Sequence, residues 1–372
     1  MNFENIENQL KKNLEKCTHV VIKIGTGVLN PHIENTDFEF FQILSREVKN
    51  LQQTGKKVLI VSSGAVGFGK KIRSKKINGE KLGNSIVDKQ AYAALGQSFL
   101  INTYREYLAN VDLDAAQILI TMADFKSRNH FHNMKRALDQ LLAWGSVPII
   151  NENDTVAIDE KFGDNDTISA MITGMYEKSV LIILTTIDGF YIDNQKIDVL
   201  QDIDKIQMRA AGGASAGGIG GMKTKLMAGK KIIQSGQLMN ISAGKNPGII
   251  REVVAGARVG TWFVPMTLES LGAKKRWLLH YRQSMGELFI DEGARRAIIS
   301  AGASLLAVGI KRLSGDFEKG DVVTICDLNG EALGMGAMSL SSTRIANIIS
   351  DGTEKKGIEA IHRDNLALLA SK

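Results

Sequence analysis

Short apolar, β-branched runs recur at residues 20–24, 58–61, 147–150 and 180–184, and each gives way to Gly, Ser, Asn or Thr. Runs of that length with no alternation predict strands buried on both faces. Between them, residues 38–53, 88–109 and 129–144 carry their apolar positions at helical spacing. The order is therefore β, α, β, α through the first two thirds, which predicts a mainly parallel sheet sandwiched by helices. In such a sheet the functional loops lie at the carboxyl ends of the strands.

The rhythm changes after about residue 270, where LGAKKRW ends the repeating pattern. Shorter elements follow at 287–291, 292–301, 321–327 and 331–338, and the last two are separated by Leu328-Asn329-Gly330. An Asn-Gly pair between two such runs is a strong hairpin signal. The chain of 372 residues is long enough for two cores. The expected class is α/β over residues 1–270 with a small β-rich domain over 275–372.

Composition narrows the function. Cys17 and Cys326 form no CxxC pair and provide neither a disulfide framework nor a zinc site. The segment MNFENIENQLKKNLEK lacks the apolar centre of a secretory signal, and no apolar run approaches the ~20 residues of a membrane span, so a cytoplasmic location without membrane partners is expected. The net charge of +6 invites a nucleic-acid reading. Residues 275–372, however, hold 13 Lys+Arg against 12 Asp+Glu. The densest basic run, Lys70, Lys71, Arg73, Lys75, Lys76 and Lys81, reads as a solvated loop or as a lid over an anionic substrate.

Four segments can carry chemistry. Lys23 ends the first strand before Gly25-Thr26-Gly27; a buried ammonium needs an anionic partner, and glycines let backbone amides approach a phosphate. An edge-strand lysine reaching solvent is the alternative. Ser62, Ser63, Gly64 and Ala65 end the second strand, where hydroxyl and amide donors converge on an anion or simply cap a helix. Residues 151–170 hold Asn151, Glu152, Asn153 and Asp154, then Asp164, Asn165 and Asp166 after Gly163. Such clustered acids and amides suit an amino acid's ammonium group, magnesium, or lysines that need orienting, and the spacing is not that of an EF-hand. Finally, Gly217, Gly218, Gly220 and Gly221 precede Lys223, Thr224 and Lys225. Glycines before a helix amino terminus suit nucleotide phosphates or a mobile linker, although neither the P-loop nor the dinucleotide pattern fits.

In this order VIKIGTGVL, VSSGAVGFG, KQAYAALGQ, VPIINENDTVA, FGDNDTISA, TTIDGFY, GGMKTKL and KNPGII resemble the amino acid kinase family over nearly the whole chain. NENDxVA followed by GDND points to its branch acting on L-glutamate, and the tail from KRW through GMGAMSLSS resembles a PUA domain. The resemblance implies ATP-dependent phosphorylation of the glutamate γ-carboxylate with Mg2+, at the first step of proline synthesis. It implies Lys23 and Lys225 as phosphoryl clamps and Asp166 as the carboxylate orienting them. Ser63, Gly64, Asp154, Asp164 and Asn165 are implied to bind glutamate. Lys23, Thr185, Thr186, Ile219, Gly220, Gly221, Met222, Lys223, Thr224 and Lys225 are implied to meet ATP, with Thr186 standing where many relatives carry Asp. Proline as feedback inhibitor and a homo-oligomer are also implied. The alternative is RNA binding or RNA modification through the PUA domain; the near-neutral tail argues against it.

Overall fold

The four apolar runs become neighbours at the centre of one sheet. The computed structural model describes residues 3–35, 38–76, 82–156, 165–203, 221–265, 284–351 and 357–369. They belong to two units, Met1–Leu268 and Glu269–Lys372.

In the first unit the strands are β1 (His19–Ile24), β2 (Lys57–Ser62), β3 (Ala115–Ile120), β4 (Val147–Glu152), β5 (Ser179–Thr185), β6 (Phe190–Ile192), β7 (Gln195–Ile197), β8 (Val199–Leu200), β9 (Leu238–Ala243) and β10 (Thr261–Phe263). Eight of them form one sheet in the order β3-β4-β2-β1-β5-β9-β10-β8, and β6 and β7 pair separately. The joins from β3 through β9 are parallel; β9 and β10 run antiparallel. Val20, Val21, Ile22 and Ile24 are fully buried, which is why β1 reads as an unbroken apolar block. β3 carries no such block, because it lies at the sheet edge with Gln117 and Leu119 exposed, and the strand prediction passes over it.

Around the sheet lie α1 (Glu7–Lys16), α2 (Thr26–Asn35), α3 (Glu39–Gln53), α4 (Ala65–Ser74), α5 (Ile86–Ala109), α6 (Met122–Lys126), α7 (Arg128–Ala143), α8 (Asn165–Gly174), α9 (Met222–Gln234) and α10 (Ile249–Val254). α3 buries Phe40, Phe41, Leu44, Val48 and Leu51, a stripe at helical period facing the core. Ser85 and Asp88 form a reciprocal capping box that starts α5. α4 and α5 touch backbone to backbone: a Cβ on Gly96 would lie 1.8 Å from the Ala65 carbonyl oxygen, and one on Gly69 1.8 Å from that of Tyr92. The basic run is helical where a loop was an expected reading. Lys70, Lys71 and Arg73 belong to α4, Lys70 Nζ lies 5.9 Å from the Tyr92 ring centre, and Lys71 donates to the Ile33 carbonyl. Lys81 lies outside the described residues.

The second unit contains β11 (Gly286–Ile290), α11 (Glu292–Ser300), β12 (Leu305–Leu306), β13 (Ile310–Gly315), β14 (Val322–Cys326), β15 (Ala332–Ala337), α12 (Ser342–Asp351), β16 (Glu359–Ile361) and β17 (Leu366–Leu368). Its five-stranded sheet runs β13-β11-β14-β15-β17, and β12 pairs with β16. The hairpin at Asn329-Gly330 joins β14 to β15, with Gly330 at φ 88°. Leu288, Ile298, Phe317, Val323, Ile325 and Ile345 form a core within this unit. Cys17 and Cys326 are both buried and unbridged.

Candidate functional site

β1 lies between β2 and β5, so Lys23 is not an edge residue, and it is only 5% exposed. A cation in that position requires a counter-charge. Asp166, in the first turn of α8 and 2% exposed, supplies it: Lys23 Nζ lies 2.8 Å from Asp166 Oδ1. The other carboxylate oxygen accepts from Thr224 Oγ1 at 2.7 Å and Lys225 Nζ at 3.2 Å. Thr224 and Lys225 occupy the first turn of α9, which Gly221 caps. Burial by itself would raise the Asp166 carboxyl, but Lys23, Lys225 and Thr224 outweigh it and hold it at about 2. Two lysines against one carboxylate that stays ionised at neutral pH leave these three side chains with a net positive charge.

The glycines beside Lys23 let the end of β5 approach closely. A Cβ on Gly25 would stand 3.3 Å from the Leu184 carbonyl oxygen and 3.6 Å from Lys23 Nζ. Thr185 ends β5, and the exposed Thr186 follows it against Gly27, where a Cβ would come within 2.8 Å of Thr186 Cγ2. The β1–α2 turn, the end of β5 and the α9 amino terminus thus carry the predicted nucleotide residues Thr185, Thr186, Gly221, Met222, Lys223, Thr224 and Lys225. Ile219 and Gly220 lie outside the described residues.

A network of amides and hydroxyls adjoins the lysine cluster. Asn165, the neighbour of Asp166, donates through Nδ2 to Ser63 Oγ at 3.1 Å and to Asn151 Oδ1 at 3.0 Å. Asn151 Nδ2 donates to Gln97 Oε1 at 2.9 Å, and the Glu152 amide donates to Asn151 Oδ1 at 2.9 Å. Side chains from β2, α5, β4 and α8 are joined in this way. Ser62 Oγ lies 2.8 Å from Tyr104 Oη and donates to the Ser63 carbonyl at 2.9 Å, fixing the peptide ahead of Gly64, whose φ of 111° demands glycine. Among the described residues, two buried atoms of the network have no hydrogen-bond partner: Asn165 Oδ1 and Gln97 Nε2.

Beside it lies a cavity of about 270 Å³ lined by Gln97, Ser98, Gln117, Glu152, Asn153 and Asp154, among others. Burial pushes the Asp154 carboxyl up, and the nearby Glu152 pushes it further, to about 7. This end of the site calls for a cation. Asp164 lies outside the described residues. Among the described residues no group of three or more His, Cys, Asp or Glu is placed to hold a metal.

The structure brings together Lys23, Asp166, Thr224 and Lys225, and separately Ser63 and Asn165. It adds Gln97 and Tyr104, which the sequence did not single out, and gives partners to Asn151 and Glu152 of the acidic-amide block. Gln97 and Asn151 stand inside the quoted KQAYAALGQ and VPIINENDTVA segments, but nothing in their spacing announces that they touch.

The sequence pattern of the amino acid kinase family matches residues 18–241, and that of the PUA domain matches residues 286–359. A glutamate 5-kinase of Geobacter sulfurreducens is 40% identical over 96% of this chain and 99% of its own length. Glutamate 5-kinases of Caldanaerobacter subterraneus and Desulfotalea psychrophila are each 37% identical, over 94% and 97% of this chain and 97% and 100% of their own. A solved carbamate kinase from Giardia lamblia bound to AMP-PNP aligns at 14% identity over 68% of this chain and 99% of that one, with a TM-score of 0.45. The buried lysine pair, the amide network and these full-length likenesses agree: the chain belongs to the amino acid kinase family, among the glutamate 5-kinases, and carries a PUA domain.

Proposed function

We propose that this protein transfers the γ-phosphoryl group of MgATP to the γ-carboxylate of L-glutamate, giving γ-glutamyl phosphate and ADP, the first step of proline biosynthesis. The observation that carries the reading is Lys23 and Lys225 held against opposite oxygens of the buried Asp166. An oxygen of the γ-carboxylate attacks the γ-phosphorus in line, the bond to the β–γ bridging oxygen breaks, and ADP leaves with the electron pair. Two anions must meet, so charge neutralisation and positioning supply the catalysis.

Lys23 and Lys225 neutralise the moving phosphoryl group, and Asp166 and Thr224 hold them in place. Thr185, Thr186 and residues 219–225 receive the nucleotide. Ser63, Gly64 and Asn165 hold glutamate, with Asp154 and Asp164 assigned to its ammonium group. Magnesium fits as part of the incoming nucleotide, since Lys23, Thr224 and Lys225 already occupy the Asp166 oxygens. Bound there, it screens the phosphate charge.

All the described side chains of this cluster belong to Met1–Leu268. The kinase chemistry is therefore assigned to residues 1–270, and the PUA domain, 275–372, is assigned no part in it. Proline shares the α-carboxylate and α-nitrogen of glutamate and competes at the same pocket. The protein acts in the cytoplasm, where ATP and glutamate are supplied, as a homo-oligomer.

Purified protein incubated with MgATP, hydroxylamine and one of L-glutamate, L-aspartate or N-acetylglutamate tests the assignment. Glutamate should give the γ-hydroxamate and stoichiometric ADP. A clear preference for aspartate or N-acetylglutamate would overturn it.

A further inference from the structure

We infer that Gln97 determines specificity by reading the carboxylate of the amino acid that is not phosphorylated; this rests on the glutamate kinase reading above. Gln97 is a half-buried amide with a single hydrogen-bonded end. Gln97 Oε1 accepts from Asn151 Nδ2, which fixes the amide so that Nε2 is the other pole. That nitrogen is shielded from solvent and has no hydrogen-bond partner among the described residues. An unmet buried donor is costly, and a ligand oxygen removes the cost. Gln97 lines the cavity that also contains Glu152 and Asp154. Gln97 thus stands with two acids around one cavity, a set complementary to a carboxylate and an ammonium group on one carbon.

The connectivity identifies which carboxylate this is. The reacting carboxylate must lie by Lys23 and Lys225, hence near Asp166 and its neighbour Asn165. Among the described residues Gln97 reaches Asn165 through Asn151, one side chain further along the network from Asp166. The far carboxylate, attached to the carbon bearing the ammonium group, is the one left for Nε2. The same relay holds Asn165, so recognition at the far end also steadies the residue next to the phosphoryl clamp.

The test compares L-glutamate with L-glutamate α-amide, which keeps the γ-carboxylate and the ammonium group but replaces the far carboxylate with a neutral amide. Wild-type enzyme should favour glutamate by about 100-fold or more in kcat/KM, as expected when a buried polar group is left badly paired. Gln97→Glu keeps the acceptor for Asn151 and turns the donor into an acceptor. It should raise the glutamate KM, leave the ATP KM within about twofold, and narrow the preference at least tenfold, because the α-amide can now donate.

A variant that loses activity on both substrates equally, with the wild-type preference intact, would make Gln97 a structural residue and overturn the inference. Should Gln97→Glu fail to fold by circular dichroism, Gln97→Met is read by the same ratio. Wild-type protein alone also decides: equal use of glutamate and its α-amide would overturn the inference whatever the variants do. Failure of the wild type to phosphorylate glutamate at all would instead remove the underlying kinase reading, so the two failures are distinguishable.

Discussion

Asp166 and Asp154 are two sequestered aspartates of one site with opposite electrostatics. Asp166 is surrounded by two lysines and a hydroxyl and is held down at about 2; Asp154 is half-buried beside another acid and rises to about 7. The first is satisfied by its own chain, and the second, on the proposed reading, by a ligand's cation. An organising carboxylate and a binding carboxylate are therefore separated by what surrounds them, not by residue type.

The sharpest way to break the contrast is Asp166→Asn. It leaves Lys23 and Lys225 sharing a buried site without a counter-charge, so it should cost about 3 kcal/mol or more in stability and reduce kcat by at least about 1000-fold. Denaturant unfolding and steady-state kinetics measure the two effects. A soluble Asp166→Asn enzyme with kcat within tenfold of wild type would remove Asp166 from its organising role.

Removing one cation tests the other half of the cluster. Lys225→Ala and Lys23→Ala should each reduce kcat by about 100-fold or more, the usual loss when one group stabilising a developing charge is deleted. Asn165→Ala should act mainly on the glutamate KM. If turnover of Lys225→Ala stayed near normal, the two-lysine clamp would have to be abandoned.

A pH profile sharpens the role of Asp154. Its folded-state pKa is raised from an ordinary 3.8 to about 7, so below about pH 7 the free enzyme carries it protonated and unable to meet an ammonium group. The glutamate KM should rise by up to about tenfold per pH unit below 7 and level off above it. Asp154→Asn should raise KM throughout and flatten that slope. The two aspartates also pull stability in opposite senses. The contribution of Asp166, whose pKa is depressed, is present above about pH 4 and lost as pH falls towards 2. That of Asp154, whose pKa is raised, is present at low pH and lost as pH rises from about 4 through 7. A glutamate KM independent of pH between 5.5 and 8.5 would contradict the assignment.

The smallest expected effect is that of Tyr104→Phe, which removes the hydroxyl partner of Ser62 while Ser62 keeps the Ser63 carbonyl. The loss should be about 1 kcal/mol in chemical denaturation, with less than a fivefold change in kcat/KM. A much larger kinetic change would place the Ser63–Gly64 peptide under direct control of Tyr104.

The core strands were legible because both faces of β1, β2, β4 and β5 are covered, and an apolar run of strand length has little other destination. β3 was not, since an edge strand with exposed Gln117 and Leu119 leaves no such run. Likewise Lys70, Lys71 and Arg73 read as loop because charge dominates there, whereas α4 is held by its other face and by the close glycine contact with α5. Lys23 announced itself as a cation inside an apolar strand.

The sequence by itself determined the four core strands and the long helices between them, the hairpin at Asn329-Gly330, the lysines flanked by glycine turns, and the acidic-amide block after β4. Each follows from local rules of burial period, turn conformation and the cost of an unpaired charge. Only the tertiary structure decided that Asp166 lies between Lys23 and Lys225, that Gln97 meets Asn151, and that Asp154 stands beside another acid instead of a lysine. Those outcomes depend on elements far apart in the chain arriving at the same end of one parallel sheet. A side chain's charge is then set by the neighbours that long-range packing brings within a few ångströms.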